Sequence, residues 1–347
     1  MIEINQLDLF SGIGGFHLGF ERAGFKVNSF FSEIDKHAIA VYKQQFKDSK
    51  YVGSVTNVRG ADLPRIDLIT FGSPCQDFSV AGTRKGMDGE RSGLIVEAIR
   101  LVNECRPRVF VWENVKGTFS SNDGRDFAAI IKEFANIGGY RFEWQLLNTS
   151  WFLPQNRERI YLVGYSTTPE RGWRGIFPIG TGIGNDTVQS IKVVGDRGTG
   201  GQQGLIFDDS GISPCVNACT YKDPIKIKAN YNYEALNKSI QNNRHLLKEG
   251  EPKAIDCYNQ SIRDESPCLT SPEHNTTRLF DGSRIRKLTP IECERLQGFP
   301  DNHTAFGDYD GEVKPVSNTQ RYKQCGNAVT VDVVKAVAEK IKPIFNA

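Results

Sequence analysis

No stretch of this sequence is apolar for long enough to span a bilayer, so a membrane-spanning helix is excluded from the reading. The opening residues, MIEINQLDLFSG, lack a basic segment followed by an apolar core and a small-residue cleavage site. No secretory signal is read there, and a cytoplasmic protein is expected. The eight cysteines, at positions 75, 105, 215, 219, 257, 268, 293 and 325, form no Cys-x-x-Cys pair, and the five histidines are spread as thinly. Cys215 and Cys219 lie closest, but no second pair follows at metal-ligand spacing. No metal site is expected and, in a reducing compartment, no disulfide. A large excess of charge is missing too. The net +2 is too small for charge alone to argue for or against a nucleic-acid partner.

What is present suits an ordinary globular chain: 347 residues, of which 39% are hydrophobic and 24% charged, enough to bury one large α/β core, alone or with a smaller domain. Apolar runs and helical periods alternate over the first half. Strands are expected near 4–10, 26–32, 51–55, 66–71, 109–112, 141–147 and 160–164, and helices near 16–24, 36–46, 94–104 and 125–137. From about residue 170 the alternation fails. Glycine clusters with many Asn and Ser run to about 285, and a second domain of short strands and loops is expected there. Ser213-Pro214-Cys215 and Ser266-Pro267-Cys268 resemble each other but are too short to make a repeat. Order returns at residue 286. Thr289 as N-cap, Pro290 at the first helical position and Gly298 as terminator spell a short helix, and an amphipathic helix closes the chain from about 330 to 344.

The stretch Gly72-Ser73-Pro74-Cys75-Gln76-Asp77-Phe78-Ser79 follows a run with the content of a buried parallel strand. It therefore sets Cys75 on a loop at a strand's carboxyl end, where open α/β sheets place their ligands. A proline-stiffened, polar and exposed loop suits a nucleophilic thiolate, although a cysteine chosen at random is more often a small buried hydrophobe. The glycine- and charge-rich segment 81–93 has the composition of a lid. Asp8-Leu9-Phe10-Ser11-Gly12-Ile13-Gly14-Gly15 joins strand to helix through a turn that lets a ligand reach the backbone. Its spacing is not the dinucleotide Gly-x-Gly-x-x-Gly, and such a turn is often only tight. Glu33, about twenty residues on, can accept both hydroxyls of a ribose, whereas Asp35 suits a cap for the next helix. Glu113 ends a predicted strand on the same rim; it is either an acid catalyst or the partner of a local arginine. Arg157 and Arg159, one residue apart at the entry to a strand, are expected to share a face and to bind phosphate or a base edge, unless they form an ion-pair cluster with Glu158.

In order, DLFSGIGG, SEID, GSPCQDFS, ENV, QNRER, RKLTPIECERLQGFP and CGNAV resemble the ordered motif set of the cytosine-5 DNA methyltransferases. The resemblance spans Asp8 to Val329, and the motif-poor stretch falls where that family keeps its target-recognition region. It implies the S-adenosylmethionine-dependent methyltransferase fold, Rossmann-like with a mainly parallel sheet, over 1–180 and 318–347. A smaller, mostly β and loop recognition domain over 181–317 would include a hinge helix at 289–298. Cys75 would be the nucleophile and Glu113 the holder of the pyrimidine ring nitrogen, with Arg157 and Arg159 as ligands of the flipped base and nearby backbone. Phe10, Gly12, Gly14, Glu33 and Pro74 would line the cofactor and active-site pocket, and Asn327 its closing side. Gly53-Ser54-Val55 stands where the family commonly shows Gly-Asp-Ile against the adenine, so Ser54 offers a hydroxyl in place of an acid and a weaker hold is expected. The partner implied is double-stranded DNA. Any restriction endonuclease would be a separate protein, and a monomer without metal or membrane is expected.

Other readings fit fewer residues. The transfer-RNA branch of the same family carries a Cys-Phe-Thr element, and the nearest string here, Cys219-Thr220-Tyr221, does not match it. A catalytically silent DNA-binding scaffold would not require Cys75, Glu113 and Arg157 together. A nicotinamide oxidoreductase would call for the absent glycine spacing.

Overall fold

The computed structural model describes residues 1–74, 93–166, 175–180, 213–214, 253–256, 261–263, 277–280, 285–286 and 288–346. The chain divides into two units, one of residues 1–147, 158–182 and 333–347, the other of 148–157 and 183–332. Residues 148–157 and 318–332, grouped with the catalytic domain on sequence, cluster with the second unit.

The first unit is built on a seven-stranded sheet. Its strands are β1 (Ile2–Leu9), β2 (Phe25–Ser32), β3 (Lys50–Tyr51), β4 (Leu68–Gly72), β5 (Val109–Val115), β6 (Arg141–Asn148) and β8 (Glu158–Tyr165), with β7 (Gln155–Asn156) belonging to the second unit, and they lie in the order β3-β2-β1-β4-β5-β8-β6. The first five pair in parallel, and β8 runs antiparallel to β5. Helices α1 (Gly15–Arg22), α2 (Lys36–Gln45), α3 (Gly93–Cys105) and α4 (Arg125–Asn136) connect them.

Because side chains alternate along a strand, the register sorts the sheet into two faces. Leu7, Leu9, Ile69, Phe71, Phe110 and Trp112 fall on one and form a continuous apolar cluster with Ile95, Leu101, Ile130 and Phe134 of α3 and α4. Gly164 pairs with Phe110 across β5 and β8, and a Cβ there would strike the Phe110 ring. The opposite face, carrying Gln6, Asp8, Ser29, Phe31 and Thr70, meets α1 and α2, with Phe31 stacked on Tyr42 at 4.0 Å.

The expected third strand is shorter than its apolar content suggests. β3 ends at Tyr51, because Gly53 takes φ +89° and turns the chain, and Ser54 O then accepts from Asn57 N. Asp35 is the N-cap of α2, its carboxylate accepting from His37 N and Ala38 N.

In the second unit, β7 (Gln155–Asn156) pairs with β9 (Ser213–Pro214), and β10 (Lys253–Asp256), β11 (Ser261–Arg263), β12 (Thr277–Phe280) and β13 (Ile285–Arg286) form an antiparallel sheet in the order β11-β10-β12-β13. The short helix read from sequence is α5 (Pro290–Leu296). Thr289 caps it in a reciprocal box with Glu292, and Gly298 follows at φ +79°. An exposed hairpin, β14 (Phe306–Tyr309) and β15 (Glu312–Pro315), leads to α6 (Asn318–Asn327), and α7 (Val331–Asn346) crosses back into the first unit. Among the described residues, no helix is long and apolar enough to cross a membrane.

Glu294 of α5 is fully buried and accepts from Asn302 N, Thr304 N, the Thr304 hydroxyl and the Arg321 guanidinium. Removing the cation would leave a buried carboxylate held only by neutral donors. Arg321→Met is therefore expected to lower the unfolding free energy by about 3 kcal/mol, measured by chemical denaturation.

Candidate active site

Parallel strands end their carboxyl termini on one rim, and the described candidate residues of the first unit gather there. After β1 the backbone takes a left-handed step at Phe10 (φ +53°), then at Gly12 (φ +54°) and Gly14 (φ +84°). A Cβ on Gly14 would strike the Phe46 ring, whereas one on Gly12 would meet nothing within 4 Å. Gly14 needs glycine for packing; Gly12 leaves open space above the turn. Gly14 caps α1 with no side-chain hydrogen bond, and no acidic residue sits in the first helical turn. The buried Ser11 hydroxyl has no hydrogen-bond partner among the described residues. An open helix entrance, space over glycine and a hydroxyl to spare fit a carboxylate-bearing nucleoside cofactor.

Glu33 already works in this turn. One carboxylate oxygen accepts from Gly12 N at 2.9 Å; the other accepts from Ile34 N at 2.7 Å and Asp35 N at 3.0 Å. The carboxylate is thus fixed in direction while keeping lone pairs for further donors. Ser54 faces its neighbour Thr56, hydroxyl to hydroxyl at 3.0 Å, and Val55 is buried in the apolar cluster.

Beneath the turn lies a polar layer that sequence reasoning missed. Asp8 is fully buried and accepts from the Thr70 hydroxyl, which itself accepts from Gln6 Nε2. The Tyr42 hydroxyl meets Ser29 Oγ at 2.7 Å and His17 Nδ1 at 3.1 Å. Burial holds the Asp8 carboxyl well above the usual carboxylate range. The hydrogen bond from Thr70 opposes that shift, and the charge of Glu33 adds to it.

At the end of β4, Gly72 pairs with Glu113 of β5. A Cβ on Gly72 would sit 3.1 Å from Glu113 Oε2. Glu113 lies within β5 rather than beyond it, almost wholly buried, and Arg159 Nε reaches its Oε1 at 3.1 Å. Ser73 is buried behind this pair, and Pro74 is exposed. Cys75 and the segment 81–92 lie outside the described residues.

The two arginines do not share a strand face. Arg159 lies in β8, but Arg157 precedes the strand and belongs to the second unit. There it is buried, its guanidinium donating to Gly326 O at 3.3 Å and Ala328 O at 3.0 Å. These carbonyls flank Asn327, which is exposed at the end of α6. Glu158 pairs with Lys116 at 2.8 Å. Among the described residues, no group of three or more His, Cys, Asp or Glu could hold a metal ion.

Comparison with known proteins gives the family of the chain. The profile of a family described as C-5 cytosine-specific DNA methylase matches residues 4–343. The type II methyltransferase M.Bsp6I of Bacillus sp. (strain RFL6) is 31% identical over 343 residues, covering 96% of both chains. The type II methyltransferase M1.ScrFI of Lactococcus lactis subsp. cremoris is 33% identical over 344 residues, 98% of this chain and 78% of that one. In fold the chain is similar to the S. pombe Dnmt2 methyltransferase, with a TM-score of 0.61 at 18% identity, covering 98% and 99% of the two chains.

The raised pKa of the buried Asp8 carboxyl makes the stability of the protein depend on pH. The carboxyl's contribution to stability is fully present below the unfolded value near pH 4 and is lost as pH rises through the folded value. Asp8→Asn carries no such proton. It is expected to match the wild type at about pH 4 and to become progressively more stable than it toward neutral pH, as read from urea unfolding at several pH values.

Proposed function

The chain belongs to the C-5 cytosine-specific DNA methylase family, and from that premise we propose that the rim described above is its methyl-transfer site, working on a cytosine turned out of duplex DNA. The observation that carries this reading is the buried Glu113–Arg159 pair, which faces Gly72 three residues before Cys75.

S-adenosylmethionine, when bound, supplies an electrophilic methyl group. Glu33, the Phe10–Gly14 turn, Ser54, Val55 and Pro74 would hold it, with Asn327 at the closing side. Carbon 5 of cytosine is a weak nucleophile by itself. Addition of the Cys75 thiolate to carbon 6 pushes electron density onto carbon 5. Glu113, in its protonated form when the base is bound, donates to the ring nitrogen and stabilises the charge that this addition creates. Arg159 holds Glu113 in direction, and Arg157 braces the segment that carries Asn327. After transfer carbon 5 gives its proton to water, the electron pair of that C–H bond re-forms the ring double bond, and the thiolate is expelled from carbon 6. The approach to the ring face requires the base to leave the stack.

Target reading falls to the 181–317 domain, with the helix at 289–298 as its hinge. The enzyme acts as a cytoplasmic monomer on duplex DNA, and a cognate endonuclease would be a separate chain.

The direct test is transfer of labelled methyl from S-adenosylmethionine to duplex DNA and, in parallel, to total RNA, with mapping of the modified base. Label in DNA alone, at carbon 5 of cytosine in one sequence context, is expected; label confined to RNA would overturn the substrate assignment. Cys75→Ser is expected to fold and to lose at least about a thousandfold in rate. Glu113→Gln should lose roughly a hundredfold in kcat with DNA affinity little changed; an unaltered rate would remove Glu113 from the site.

A further inference from the structure

We infer that Ser73 is a positioning residue for methyl transfer, setting the direction of Glu113 and the stem of the cysteine loop with one hydroxyl; the inference rests on the assignment of Cys75 and Glu113 above. Ser73 Oγ accepts from Trp112 Nε1 at 3.1 Å and from Asn114 Nδ2 at 3.2 Å. These donors are the residues immediately before and after Glu113. Alternation along β5 puts both on the face opposite Glu113. One oxygen behind the strand therefore gathers the two neighbours of the carboxylate in front of it.

Neither donor is free to turn elsewhere. Asn114 Oδ1 accepts from Val115 N at 2.7 Å and from the Thr118 hydroxyl at 3.2 Å, which directs its amide nitrogen toward Ser73. Trp112 is fully buried, its ring packed 5.7 Å from Phe134 and 6.4 Å from Phe127. The surroundings on this face are the apolar cluster of α3 and α4, where a hydroxyl, an indole N–H and an amide are costly unless they satisfy one another. A core needing only packing has no use for this trio. What the trio does is join the end of β4 to β5 across their carboxyl ends. On the β4 side, the constrained residue is followed by Pro74, whose ring fixes its own φ, and then by Cys75 in sequence. The tie thus fixes β5 on either side of the acid and the residue two positions before the nucleophile in sequence, and small displacements of catalytic groups cost rate rather than binding.

The test uses the full chain with DNA and S-adenosylmethionine varied in turn. Ser73→Ala is expected to lower kcat by about tenfold while both KM values stay within about twofold. Ser73→Thr keeps the hydroxyl and is expected to recover most of the rate. Trp112→Phe removes one donor and should lower kcat in the wild-type background but not further in Ser73→Ala, since the two act through one contact. Wild-type kcat in Ser73→Ala, a loss carried by KM, or additive losses in the double variant would each overturn the inference. Should Ser73→Ala not fold, the Ser73→Thr and Trp112→Phe measurements decide in the same way. Cys75→Ala run alongside separates the levels. If it stays active, the catalytic assignment itself fails; if it is dead while Ser73→Ala turns over normally, only the role of Ser73 falls.

Discussion

A strand can aim a side chain at a reaction only by turning its two neighbours away from it, and the candidate site is organised around that constraint at Glu113. Pairing with β4 puts Gly72 beside it, and the missing side chain there leaves room for Oε2. Pairing with β8 supplies the arginine. Here the direction of β8 is decisive. A parallel strand would bring its last residues to this rim, whereas an antiparallel one brings its first, and Val115 accordingly lies opposite Arg159. The antiparallel pairing of β8 with β5 is what allows a cation from the start of β8 to reach a carboxylate near the end of β5. Both groups are almost wholly buried, so either alone would be strongly disfavoured and each fixes the other.

The two faces of the sheet divide the work. Toward α3 and α4 the register delivers an unbroken apolar cluster, whose burial favours folding. Toward α1 and α2 it delivers Gln6, Asp8, Ser29 and Thr70, joined by Tyr42 and His17. Such a layer is a poor source of stability, since each polar group must be matched. It lies under the Phe10–Gly14 turn. Local rules of core building are relaxed in natural proteins chiefly where function demands it, and the polar layer underlies the residues assigned to the cofactor.

What could be read from the sequence follows from which signals are local. The strand and helix alternation is local, and so are the caps at Asp35 and Thr289 and the rim positions of Glu33 and Glu113. All are visible as periodicity, cap chemistry or a strand's last residues. The end of β3 was not legible, because a glycine at φ +89° overrode a run with strand character. The expected alignment of Arg157 with Arg159 failed for a similar reason. Two-residue spacing implies a shared face only inside a strand, and β8 starts at Glu158. The Ser73 tie and the Asp8 layer join residues some 40 and 60 positions apart, and no periodicity records such a meeting. The signal that existed was indirect: polar residues at positions that alternation assigns to the core.

The second unit reaches definition by other means. Its described apolar cluster is small, comprising Leu288, Cys293, Leu296, Tyr322 and Cys325. Around it, buried polar side chains hold the backbone at chosen atoms. Gln155 Nε2 donates to Leu296 O, Gln297 Nε2 to Cys325 O, and Arg157 to the carbonyls on either side of Asn327. Apolar packing tolerates small slips of one element along another, whereas a donor that must meet one carbonyl does not. Fixing Gly326 and Ala328 from behind leaves the exposed Asn327 between them with a set backbone and a side chain available to a ligand. An arginine placed by sequence on the flipped base is therefore engaged, in this structure, in shaping the end of α6.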